Sequence, residues 1–99
     1  MNDKVLSLLG LCKKSGNISL GFDACLESVK QKNSSLILVT NDLSERTLNR
    51  IYDQINNKVN IIVLNLSMED IRKILGKSSG IISVNNNGFA EKIKQLLNT

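Results

Sequence analysis

Asn33-Ser34-Ser35-Leu36-Ile37-Leu38-Val39-Thr40-Asn41-Asp42 is the stretch that decides the fold. Its consecutive aliphatic residues, bounded by polar loop formers, read as a strand covered on both faces, because a half-exposed strand would alternate apolar with polar. Such a strand needs a helix layer on each side. Downstream, Asp42 and Glu45 have capping-box spacing, and Leu48, Ile51, Tyr52 and Ile55 then give a helix one buried face, ending near Asn57. Val59 to Leu64 repeats the buried-strand pattern. Ser67 with Asp70 caps a further helix, whose apolar face is Ile71, Ile74 and Leu75 and whose stop is Gly76. Ile81 to Val84 is the last strand, Asn85-Asn86-Asn87-Gly88 a loop, and Phe89, Ile93, Leu96 and Leu97 the face of a closing helix.

Upstream the punctuation is denser. Val5, Leu8, Leu9 and Cys12 share a helical face from Asp3 to Lys14, and Gly16 stops that helix. Phe22, Cys25 and Val29 have the same spacing over a second helix from about Phe22 to Lys32. Only Asn17 to Leu20 is left between them for a short extended link, with Gly21 at the corner. Helices alternating with buried strands make an α/β protein, a three-layer α-β-α sandwich around a small, mostly parallel sheet.

Ninety-nine residues with 41% apolar content are enough for one core and too few for two, so residues 1–99 read as a single domain. A net charge of +4 and a pI near 9.3 permit a polyanionic partner without requiring one. Histidine is absent, which removes His-based acid–base catalysis and the commonest metal ligand. No phosphate loop, dinucleotide fingerprint, Cys-x-x-Cys pair or serine elbow occurs, and the close carboxylates, Asp42 with Glu45 and Glu69 with Asp70, are explained as helix caps. The expectation is a protein with no catalytic residue, no metal and no cofactor. Cys12 and Cys25 lie on apolar helix faces and read as reduced core residues, although parity also allows a disulfide. No apolar run approaches the length of a membrane span, and Gly10 and Lys13 interrupt the one run that could mimic a signal segment, so a cytoplasmic location is expected.

Two features suggest a ligand. Lys13 and Lys14 precede a helix start at Gly21, where exposed backbone N–H groups attract anions, so this is the best candidate for contacting phosphate. A plain connection with solvated lysines accounts for the same residues. Asn41, Asn65 and Asn85 each follow a strand, where a doubly wound sheet would gather a ligand, yet asparagine is also an ordinary loop residue. With one tyrosine, two phenylalanines and no tryptophan there is no stacking platform, so any RNA contact must rest on backbone and shape.

Leu9-x-x-Cys12-Lys13-Lys14-Ser15-Gly16-Asn17-Ile18-x-Leu20-Gly21-Phe22, followed by Leu36-Ile37-Leu38-Val39-Thr40-Asn41-Asp42 and then by helix, strand, helix, strand, resembles the ribosomal L-seven-Ae and L-thirty-e superfamily. The likeness is greatest to its bacterial YlxQ-like members, in which Asp42-x-Ser44-x-x-Thr47 and Gly76-Lys77 also recur. It runs from about Val5 to Leu97. The resemblance implies a mixed four-stranded sheet within the α-β-α sandwich. It also implies binding of kink-turn or similarly bent structured RNA, in ribosomes or other ribonucleoproteins, with no membrane partner.

Carried over position by position, the RNA surface comprises Leu20, Gly21, Phe22 and Asp23 at the corner, then Asn41 and Asp42, then Lys77, Ser78, Ser79 and Gly80. Lys13 and Lys14 would add long-range attraction. A glycine at such a corner lets the backbone approach a sharply bent phosphate chain. The chain departs from the pattern at the second helix, where the Asn-Glu-x-x-Lys of strong kink-turn binders stands as Asp23, Ala24 and Glu27. The Leu-Gly pair of the fourth helix stands as Ile71-Arg72, with a shortened loop after it. Two readings follow: a non-catalytic RNA-binding module, or a protein-interaction or small-ligand domain that has kept the fold and lost the RNA site.

Overall fold

The aliphatic run Leu36–Val39 is a strand with every side chain buried. A computed structural model describes residues 2–97 and places this strand, β2, among α1 (Asn2–Lys14), β1 (Ile18–Leu20), α2 (Phe22–Lys30), α3 (Glu45–Ile55), β3 (Ile61–Val63), α4 (Met68–Leu75), β4 (Ile81–Val84) and α5 (Asn87–Leu97). Alternation along β2 divides the interior in two. Leu36 and Leu38 join Val5, Leu9 and Cys12 of α1, Ile71 and Leu75 of α4, and Ala90 and Ile93 of α5. Ile37 and Val39 join Cys25 and Val29 of α2 and Ile51 and Ile55 of α3 on the other face. The three-layer α-β-α sandwich with a mixed four-stranded sheet is what the structure shows.

The sheet order is β1-β4-β2-β3, with β2 and β3 parallel and β4 antiparallel to both of its neighbours. This is the mixed four-stranded sheet that the family resemblance implies, and it corrects the mostly parallel sheet expected from periodicity alone. Reversal of β4 allows the link after α1 to pair with it, Ile18 opposite Val84 and Leu20 opposite Ile82, so the link is itself an edge strand. Three half-buried residues are too few to display an alternation, which is why the link carried no strand signal of its own. β3 occupies the other edge and is less covered than its composition suggested, with Val63 48% exposed.

Helix ends follow capping chemistry, with local corrections. Ser44, not Asp42, caps α3, its Oγ accepting the Thr47 N–H at 3.1 Å. Ser67 and Asp70 form the full reciprocal box on α4, and Gly76 closes that helix in the left-handed region. α2 ends at Lys30, and α5 begins inside the expected loop, where Asn86 Oδ1 accepts the Phe89 N–H at 2.9 Å. Two residues assigned to buried faces, Tyr52 and Ile74, are exposed. Cys12 and Cys25 are free buried thiols in the two separate cores, with the sheet between them, so they form no disulfide. Burial pushes Cys12 up to about 11 and Cys25 up to about 12, leaving little reactive thiolate at neutral pH. Among the described residues, no helix is long and apolar enough to cross a membrane.

Candidate nucleic-acid interface

β1, β2 and β3 run one way and β4 the other, so a single end of the sheet gathers the exits of β1, β2 and β3 with the entrance of β4. Segments remote in sequence meet there through backbone groups that leave the ladders. The Gly21 N–H donates to Ile81 O at 3.2 Å and to Ser79 Oγ at 3.1 Å. The Thr40 N–H reaches Gly80 O at 3.0 Å, and the Asn41 N–H reaches Leu66 O at 2.9 Å. Asn41 Nδ2 donates to Asn65 Oδ1 at 3.3 Å across the β2 and β3 exits.

At the β1 edge of this end, Gly21 is the N-cap of α2, with φ 93° and ψ 157°, and no side-chain cap bonds the start of the helix. A Cβ at Gly21 would meet nothing within 4 Å, so no other segment of the chain covers that side of the corner. Asp23 is exposed inside the first turn. It acts on the helix dipole and not as the cap. Ser79, by contrast, is buried and serves the architecture, tying Gly21 to the loop before β4. Gly80 is equally structural, because the Leu43 side chain fills the place its Cβ would take. Lys77 and Ser78 remain exposed on the same loop.

Asp42 links elements rather than facing outward unengaged. Both its carboxylate oxygens accept the Met68 N–H at 3.2 Å, so the β2–α3 loop is clipped to the start of α4. The carboxyl is held below its ordinary 3.8, first by Thr40, whose buried hydroxyl makes no hydrogen bond of full geometry, and then by the Met68 N–H. Among the described residues no cluster of His, Cys, Asp and Glu could hold a metal ion.

Residues 3–94 match the family described as Ribosomal protein L7Ae/L30e/S12e/Gadd45. The chain belongs to this family. Relatives include proteins named RNA-binding protein YlxQ, from Enterococcus faecium at 26% identity over 95 residues, covering 95% of this chain and 91% of that one. The Bacillus subtilis protein of the same name is 28% identical over 95 residues, covering 91% of each. Among solved structures, a Bacillus halodurans protein of unknown function superposes with a TM-score of 0.87 at 22% identity, over 97% of this chain and 98% of that one. The Giardia lamblia 15.5kD RNA binding protein superposes with a TM-score of 0.75 at 14% identity, over 98% and 88%.

In this L7Ae/L30e/S12e/Gadd45 member the remaining sequence candidates divide between the two ends of the sheet. Lys13 and Lys14 precede β1 whereas Gly21 follows it, so the whole strand separates the lysines from the helix start they were expected to adjoin. Lys13 Nζ donates to Leu75 O, satisfying a free carbonyl at the end of α4, and Lys14 is exposed. Asn85 also parts from Asn41 and Asn65, because β4 runs in reverse and carries it to the far end. There it bonds Ser19 Oγ at 3.0 Å and Ser83 Oγ at 2.6 Å in a cluster that also holds Ser28, so the three asparagines line no common pocket. One residue at the interface was not singled out from the sequence. Arg50 of α3 places its guanidinium 4.7 Å from the centroid of the Phe22 ring, beside Gly21. Its i, i+4 spacing from Arg46 was visible, but contact with α2 was not.

Proposed function

We propose that this chain is a non-catalytic RNA-binding domain, spanning residues 1–99, that holds a kink-turn or similarly bent RNA against the sheet end around Gly21. The observation that carries the reading is the open N-cap of α2: a positive-φ glycine, pinned by Ser79, with uncapped N–H groups behind it and empty space in front. A strongly bent sugar-phosphate chain brings phosphates close together. It needs a surface without side chains and with fixed donors, which backbone N–H groups at a helix start provide. In this reading Leu20, Phe22 and Asn41 contact the RNA beside the corner, the exposed Lys77 and Ser78 meet it from the loop before β4, Asp42, Ser79 and Gly80 hold the loops in place, and the net charge of +4 adds attraction at a distance. The name shared by the Enterococcus and Bacillus relatives supports an RNA partner. Association with ribosomal or other ribonucleoprotein RNA in the cytoplasm is the setting this reading assigns.

A titration with a kink-turn RNA and with a straight duplex of equal length, repeated over a salt series, tests it. Expected is tighter binding of the kink-turn, weakening as salt rises. Equal, feeble binding of both RNAs would transfer the assignment to a protein-interaction role, which the acidic Asp23 and Glu27 on α2 would suit.

A further inference from the structure

α3 presents two cations, Arg46 and Arg50, one turn apart and therefore on one face. Both are exposed, and neither has a carboxylate within ion-pair distance among the described residues, where Arg72 with Glu69 and Lys94 with Glu91 are the pairs formed. Arg50 is also held in place, its guanidinium over the ring of Phe22, the first residue of α2. An arginine restrained over an aromatic ring keeps N–H donors free for a phosphate and loses less freedom on binding than a mobile lysine does. Asp23 is next to Phe22 in sequence and by itself would repel a phosphate at the Gly21 corner. Arg50, over the ring of that same Phe22, brings a positive charge beside it. Lys13, by contrast, is engaged by Leu75 O and stands before β1.

We propose that Arg50, supported by Arg46, extends the binding surface onto α3, so that the sugar-phosphate chain leaving the bend at Gly21 crosses the first half of α3 and is gripped there through phosphate. This rests on the RNA reading above. The test is a fluorescence-anisotropy titration of a labelled kink-turn RNA over a salt series, with unfolding midpoints measured alongside. Arg50→Gln is expected to weaken binding about fivefold at low salt and to lower the slope of log affinity against log salt by about one. Arg50→Lys, which keeps the charge, should retain that slope, and Lys92→Gln, which removes the same charge from α5, should behave as the unsubstituted protein. If the unsubstituted protein binds but Arg50→Gln matches Lys92→Gln, the α3 extension is wrong and the RNA reading stands. If Arg50→Gln weakens binding but leaves the salt slope unchanged, the residue serves only to position Phe22 and the proposal falls. Absence of kink-turn binding by the unsubstituted protein would remove both.

Discussion

Gly21 sits at φ 93° and ψ 157°, a region that residues with a Cβ rarely enter, while the volume a Cβ would occupy is empty. Strain and obstruction therefore separate at this residue. Gly21→Ala and Gly21→Val both acquire the backbone strain and should each lose about 1–3 kcal/mol of stability. Valine fills more of that empty space than alanine does, so it should lose more RNA affinity than alanine at a comparable unfolding midpoint, as denaturation and titration of the same preparations would show. Affinity that simply tracks stability in both variants would make Gly21 a residue of the fold only. Asn85 supplies the converse case. It bonds Ser19 and Ser83 at the opposite end of the sheet, and Ser28 and Ser83 are buried. Asn85→Leu leaves Ser83 with Ser34 and Ser19 with Ser28 as their remaining side-chain partners and should cost about 1 kcal/mol, with RNA affinity unchanged. A drop in affinity without a drop in stability would mean that the binding surface had been put at the wrong end.

Among the elements, α4 has the most heavily determined start. Ser67 Oγ accepts the Asp70 N–H at 3.1 Å, Asp70 accepts the Ser67 N–H at 2.9 Å, and Asp42 reaches over from the β2–α3 loop to Met68. The carboxyls of Asp42 and Asp70 are both held below the ordinary 3.8, Asp42 chiefly by Thr40 and Met68, Asp70 chiefly by the backbone N–H and hydroxyl of Ser67. Hydrogen bonds that favour the charged carboxylate in the folded chain stabilise the fold above the usual carboxylate range, and that stability is lost as pH falls below it. Thermal melts followed by circular dichroism should show the midpoint falling as pH drops below about 4, and the fall should be shallower in Asp42→Asn. An unchanged acid slope in that variant would show that the clip to Met68 is not formed in solution. The Ser67–Asp70 box is legible because its partners are three residues apart in sequence. The Asp42–Met68 bond is not, and Asp42 reads locally as a cap of α3, because nothing near Asp42 in the chain shows that α4 passes beside it.

At the scale of the whole molecule, affinity for RNA is expected to weaken with salt because +4 is spread over a small surface, but position decides which charges matter. The sequence by itself determined the nature of most elements, the ends of several helices and most of the buried residues, from Val5, Leu9 and Cys12 on α1 to Ile93 on α5. Those features are set by periodicity and capping within a few residues of each other. It also marked Gly21, since a glycine between an extended link and a helix signals a corner locally. Only the tertiary structure decided that β4 runs in reverse, that the link after α1 is a strand, and that Asn85 and the two lysines part company with the Gly21 corner. It alone placed Arg50 over Phe22 and gave Ser79 and Gly80 to the architecture. The physical reason is the same in each case: strand direction and helix proximity are fixed by pairings between distant segments, whose free energy depends on how the whole sheet closes its hydrogen bonds and covers both of its faces.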